Sequence, residues 1–144
     1  MIMYQVCLVA DENILKMVFD LRYRVFVTEQ GIDPDTEYDQ HDKSARHLVI
    51  HDGERALACC RIRLLDKNLA KIERVAVDRD HRKFGLGRKI MEYAAELLKT
   101  EQADRVVVHA QTSAAGFYAS LGYTSQGDTF MEDGIEHIQM YLRL

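Results

Sequence analysis

Between Lys71 and Thr100 the order of polar and apolar positions changes period. Lys71–Val77 (KIERVAV) mixes β-branched residues with alternating charge, the pattern of a strand with one polar-tolerant face. From Leu86 onward, Leu86, Ile90, Met91, Ala94, Leu97 and Leu98 recur at helical spacing, with Arg88, Lys89, Glu92, Glu96 and Lys99 opposite them. A basic turn ending in Gly85-Leu86-Gly87 joins the two. Upstream, Tyr4–Val9 reads as a strand. A helix follows from about Glu12 to Glu29, with Asp11 as N-cap, an apolar stripe from Ile14 to Phe26, and Gly31 and Pro34 as the stop. Asp33–Asp42 is acid-rich and carries the single proline, as a surface loop does. Arg46–His51 and Arg55–Leu65 are strands joined at Asp52-Gly53, and in the second Arg61 and Arg63 share one face, Ile62 and Leu64 the other. With the Lys71 strand they make an antiparallel meander. Arg105–Ala110 should lie parallel to that strand, closing a right-handed βαβ unit. Thr112 or Ser113 should cap a short helix that bears Phe117 and Tyr118 and stops at Gly122. Tyr123–Leu144 reads as a hairpin around Glu132-Asp133-Gly134.

Length and composition narrow the class. At 144 residues, with 47% hydrophobic and 29% charged, the chain suits one globular α/β domain spanning residues 1–144, without repeats or linkers. A net charge of −4 gives no general attraction to nucleic acid. No apolar run approaches the roughly 20 residues that cross a bilayer. Met1-Ile2-Met3-Tyr4-Gln5 lacks the basic-then-apolar layout of a leader, so a cytoplasmic location is expected. Cys7, Cys59 and Cys60 have no CxxC spacing and read as small buried hydrophobes, and the histidines form no HExxH pair, so no metal site is expected.

The glycine turn carries the chemistry. A helix start offers unpaired N–H groups and the positive end of the helix dipole, and glycines let the backbone approach an anion. Arg82, Lys83 and Arg88 add charge that matches a pyrophosphate or ribose phosphate. A Walker A run is absent, and a dinucleotide fingerprint would need a small residue where Ile90 stands. The bland alternative is a turn with solvated basic residues.

Arg82-Lys83-Phe84-Gly85-Leu86-Gly87 resembles the R/Q-x-x-G-x-G/A signature of the GNAT superfamily of acyl-CoA-dependent N-acyltransferases. Gly116–Tyr123 (GFYASLGY) is similar to the family's FY-x-x-x-GF/Y segment, and the element order covers nearly the whole chain. Arg22–Gln30, Ala110-Gln111 and Phe130–His137 resemble the ElaA/YjcF-like branch of small bacterial GNAT proteins. Where many GNAT enzymes carry an Asn before the catalytic tyrosine, Thr112-Ser113 stand here. The resemblance implies the GNAT fold, a mixed central sheet of about six to seven strands with an antiparallel meander, a parallel βαβ unit at the cofactor site and a C-terminal hairpin.

It also implies roles. The backbone of Val75, Ala76 and Val77 would pair with the pantetheine arm of acetyl-CoA. Arg82, Lys83, Phe84, Gly85, Leu86, Gly87 and Arg88 would hold the pyrophosphate, with Phe117 beside the cofactor. The Val75 N–H would meet the developing oxyanion and Tyr118 would return a proton to the leaving thiolate. Glu73 is the candidate general base, or else pairs with Arg61, Arg63 or Lys71; His109 and His137 are rival bases. Glu29, Gln30, Asp39, Asp42, His109, Glu132, Asp133 and His137 are candidate acceptor-binding residues suited to an ammonium group, whereas Arg22, Arg24 and Arg74 would suit a phosphate or carboxylate. The implied activity is acetyl transfer to a primary amine of a small molecule such as an amino sugar or polyamine, with dimerisation a family expectation. Two other readings stand beside it: an acyl-CoA-binding sensor without turnover, and acetylation of a protein or peptide.

Overall fold

Alternation along the central strands sorts the apolar side chains into two layers, one on each face of a sheet. The computed structural model describes residues 4–144; of the segment read above for a leader, Met1–Met3 lie outside the described residues. The elements are β1 (Cys7–Leu8), α1 (Glu12–Arg22), α2 (Pro34–Glu37), β2 (Arg46–His51), β3 (Ala56–Leu64), β4 (Leu69–Val77), α3 (Leu86–Thr100), β5 (Arg105–Gln111), α4 (Ala115–Ser120), β6 (Thr124–Glu132) and β7 (Ile135–Arg143). The strands form a seven-stranded mixed sheet in the order β1-β2-β3-β4-β5-β7-β6. The β2–β3–β4 meander and the β6–β7 hairpin are antiparallel, and β4 and β5 are parallel, as expected from the sequence.

On one face Leu48, Ile50, Cys60, Ile62 and Ile72 meet Ile90, Met91, Ala94 and Leu98 of α3, with Tyr118 of α4 in the same cluster. On the other, Val49, Cys59 and Ala76 meet Val18, Leu21, Val25 and Phe26. Arg63, Lys71 and His109, on that second face, line cavities instead.

Several local expectations are corrected. β1 is confined to Cys7–Leu8, opposite Val49 and Leu48, with one further bond from the Val9 N–H to the His47 carbonyl at 2.8 Å. The helix begins where expected, with Asp11 Oδ1 accepting from the Ile14 N–H. Past Arg22 it widens into a π-helical segment, Tyr23–Glu29. The acidic loop holds two short turns, α2 and the 3₁₀ turn Gln40–Lys43, capped by Asp33 and Asp39. Neither Thr112 nor Ser113 caps α4: both lie in a 3₁₀ turn, Thr112–Ala114, and Ala114 precedes the helix without a side-chain cap.

Candidate active site

Two irregularities of β4 open the site. First, β4 pairs with β5 only through Leu69, Ala70 and Lys71, opposite Arg105, Val106 and Val107, so the two strands part beyond those residues. Second, the register with β3 slips between Arg61↔Glu73 and Cys59↔Ala76, an insertion of one residue in β4. Arg74 sits in that bulge with φ 55°, a left-handed conformation that costs a residue with a Cβ. Its guanidinium is held by the Glu37 carbonyl at 3.1 Å, the Glu37 carboxylate at 3.3 Å and Asp39 at 3.3 Å. The extra residue turns Val75 and Val77 towards the α3 layer, while Ala76 joins the α1 layer.

Two cavities meet at this opening. One, of about 470 Å³, is lined by Val75, Ala76 and Val77, by Arg82, Lys83 and Gly85–Arg88 of the turn, and by Phe117. The other, of about 440 Å³, is lined by Glu73, Asp39, His109, His137, Glu132 and Asp133 among others. Gln30, Val75, Ala114 and Tyr118 line both. Gln30 accepts a 2.8 Å hydrogen bond from Gln111, linking the π-helical segment's end to β5 across the mouth.

The first cavity fits a polyphosphate ligand. Gly85 (φ 78°) precedes α3, whose fifteen residues give the turn a helix N-terminus. Gly87 faces Phe117 and Val77 so closely that a Cβ would lie 3.3 Å from Phe117 Cζ and 3.5 Å from Val77 Cγ2. Phe84 stands 70% exposed at the rim. Arg82 is tied back to the Val77 carbonyl at 3.1 Å and to both Glu29 oxygens at 2.9 and 2.8 Å. Glu29, read as an acceptor residue, is thus placed on the Arg82 guanidinium beside the glycine turn. The π-helical turn that ends at Glu29 delivers it there.

In the second cavity most charges are already paired. Arg22 and Arg61 are 0% and 1% exposed. Arg22 holds Glu37 at 2.8 Å and Asp42 at 2.7 Å; Arg61 holds Asp39 at 2.7 Å, Asp42 at 2.8 Å and Glu73. Asp42 is buried in this network and does not line the cavity, which corrects its assignment as an acceptor residue. Arg22, Arg24 and Arg74 are likewise committed, Arg24 to Asp78 at 3.2 Å and the Ala56 carbonyl at 3.1 Å. Glu73 is bound by Arg61, by Arg63 at 2.9 and 3.1 Å, and by Lys71 at 3.4 Å. Desolvation opposes its ionisation, but Arg63 and Arg61, with Lys71 alongside, outweigh that and hold the carboxyl at about 2. Asp39 is also held at about 2, burial being outweighed by Arg61, the His41 N–H and Arg74.

Of the carboxylates that line this cavity, the two without an arginine or lysine partner among the described residues, Glu132 and Asp133, are on the β6–β7 turn. Glu132 accepts from His109 Nδ1 at 3.2 Å and lies 3.7 Å from His137 Nε2, and the His109 hydrogen bond draws its pKa down against burial. Phe130 stacks on His137 and meets His109 edge-on. His137 Nδ1 is 2.7 Å from the Ile135 carbonyl, which fixes its Nδ1–H tautomer. Tyr118 is buried between the cavities, and desolvation, with Cys60 adding to it, pushes its phenol above the ordinary range.

A model of the acetyltransferase (GNAT) domain matches residues 11–144. The chain belongs to the GNAT acetyltransferase family. It is 34% identical over 131 residues to the uncharacterized N-acetyltransferase YjcF of Bacillus subtilis (strain 168), spanning 90% of this chain and 93% of that one. Escherichia coli ElaA shares 26% identity and a TM-score of 0.86, over 96% of this chain and 99% of that one. A GNAT acetyltransferase from Elizabethkingia anophelis, solved with acetyl-CoA bound, shares the fold at a TM-score of 0.73 and 15% identity, each chain covered to 98%. In this GNAT domain the glycine turn and the parting of β4 from β5 lie in one place.

Proposed function

We propose that the protein transfers the acetyl group of acetyl-CoA to the primary amine of a small molecule. The observation that carries this reading is the junction: a glycine-turn cavity and a polar cavity share Val75 and Tyr118. A thioester presented through the first would reach an amine presented through the second. The presence of acetyl-CoA in the Elizabethkingia anophelis structure supports the choice of acyl donor.

Val75, Ala76 and Val77 would hold the pantetheine arm through backbone N–H and C=O groups, and the turn Arg82–Gly87 with Arg88 the pyrophosphate. Acetyl-CoA supplies an acyl group on a good leaving thiolate. The Val75 N–H, next to the bulge, is the donor for charge developing on the carbonyl oxygen. Tyr118 keeps its proton across the working pH range and donates it to sulfur as the carbon–sulfur bond breaks. His109 is the better base than Glu73, since a carboxylate held at about 2 by three cations accepts a proton weakly. Its Nδ1–H on Glu132 leaves Nε2 to take the proton the amine sheds, with Glu132 stabilising the imidazolium. Glu73 then orders Arg61, Arg63 and Lys71.

Tyr118→Phe tests the proton step. Thiol release from acetyl-CoA should fall about 10²–10⁴-fold while acetyl-CoA binds as before. Unchanged thiol release would remove the role given to Tyr118, and wild-type binding without release on any amine would point to the sensor instead.

A further inference from the structure

A third cavity, of about 340 Å³, adjoins the acceptor cavity on the same face of the sheet, and the two share Arg63, Lys71 and His109. It is lined further by Arg105 and by the polar side chains of Gln126, Gln139 and Tyr141. No acidic residue lines it. The strand registers explain the grouping: Arg63 faces Lys71 across β3–β4, Lys71 faces Val107 across β4–β5, and His109 faces Gln139, which faces Gln126. Odd-numbered residues of β5 therefore carry a row from Gln111 at the acceptor cavity to exposed Arg105 at the far end.

Charge in this face is unevenly spent. Five cations, Arg22, Arg61, Arg63, Arg74 and Lys71, are linked to four carboxylates, Glu37, Asp39, Asp42 and Glu73. Arg105 adds a sixth cation that has no ion-pair partner among the described residues. Two positive charges are left over, with Arg63, Lys71 and Arg105 around the third cavity. At the opposite end Glu132 and Asp133 supply the negative charge. The combined space is positive at one end and negative at the other.

We propose that the third cavity is an anion subsite of the acceptor site, and that the acceptor is a primary amine carrying a phosphate monoester at its far end. This rests on the reading of the second cavity as the acceptor site. The ammonium end is drawn to Glu132 and Asp133 and gives its proton to His109. The phosphate dianion matches the surplus of two positive charges, and a guanidinium can bind it bidentately. Four residues of strand, about 13 Å, separate His109 from Arg105. The reach of the arginine side chain shortens the span the ligand must cover, so an acceptor with a backbone of about four to six atoms between nitrogen and phosphate fits.

The test is a matched series, ω-aminoalkyl phosphates from aminoethyl to aminooctyl phosphate against the corresponding plain alkylamines, read by thiol release with acetyl-CoA. The phosphates should exceed the plain amines by about tenfold to a hundredfold in kcat/KM, with a maximum between butyl and hexyl. Arg105→Ala should flatten both the preference and the length optimum. Arg143→Ala, which removes the same charge from the residue opposite Arg105 in the register but outside the cavity lining, should preserve both. Equal loss in the two variants, or a preference independent of chain length, would mean general electrostatic attraction and overturn the subsite.

Calorimetry with aminohexyl phosphate separates the two readings. Arg105-dependent binding without turnover would keep the subsite and remove the acetyltransferase reading. Turnover of alkylamines and their phosphates at equal kcat/KM would do the reverse. Aminohexyl phosphate that neither binds nor is acetylated would overturn the subsite.

Discussion

In the proposed mechanism Tyr118 and His109 would divide the proton traffic, because their surroundings differ. Tyr118 is sealed between aromatic rings, with Phe117 at 5.1 Å and Tyr123 at 5.7 Å between centroids, and desolvation keeps its proton on. His109 is less buried, and its Nδ1 is fixed on Glu132. His109→Ala should therefore lose about 10²–10⁴ in kcat while acetyl-CoA binds as before. Glu132→Gln should lower kcat less than His109→Ala does, because the imidazole remains and only the carboxylate partner of its charged form is lost. A kcat that His109→Ala leaves unchanged would return the base to Glu73 or His137. In the sequence His109 stands as a rival base and Glu132 as a candidate acceptor residue, but nothing there pairs the two. Charge patterning does not separate a solvated carboxylate from a paired one, which is why Glu29 and Asp42 looked like acceptor ligands and proved to hold Arg82 and the buried arginines.

Among elements, β4 decides the site. Its C-terminal end and its partners were legible, though it begins at Leu69 and not Lys71: β-branched residues, the glycine turn after it and the amphipathic α3 set a βαβ unit with few other solutions. The bulge was not legible. Arg74 takes a left-handed φ for which the sequence offers no glycine or asparagine, and what fixes it, Glu37 and Asp39, comes from the loop before β2. The π-helical segment was hidden for a similar reason, since its apolar stripe continues that of α1. Both features depend on the arginine–carboxylate network that joins α1, α2, β3 and β4. Its net contribution is small, since each ion had to be desolvated, but removing one member leaves charges buried without partners. Arg61→Ala should cost about 3–5 kcal/mol in urea unfolding. A loss under about 1 kcal/mol would mean that solvent reaches Asp39, Asp42 and Glu73 freely.

For the whole molecule the same network sets a response to acid. Glu73 and Asp39 have their pKa values depressed to about 2 in the folded protein. They therefore stabilise the fold fully above ordinary carboxylate values, near 4, and that stability is lost as pH falls towards 2. Far-UV circular dichroism should show an unfolding transition within that window, at higher pH in Arg61→Ala. A protein equally stable at pH 2 and pH 5 would contradict the ion pairing.

The molecule's central feature is the cofactor-sized cavity that runs from the glycine turn to Tyr118, and calorimetric titration with acetyl-CoA tests it most directly. One acetyl-CoA should bind per chain with micromolar affinity. Gly87→Ala should weaken binding by about tenfold, because its Cβ would press Phe117 into the space the ligand needs. Absence of binding to the folded wild-type protein would contradict the assignment and leave Arg82–Gly87 a solvated turn.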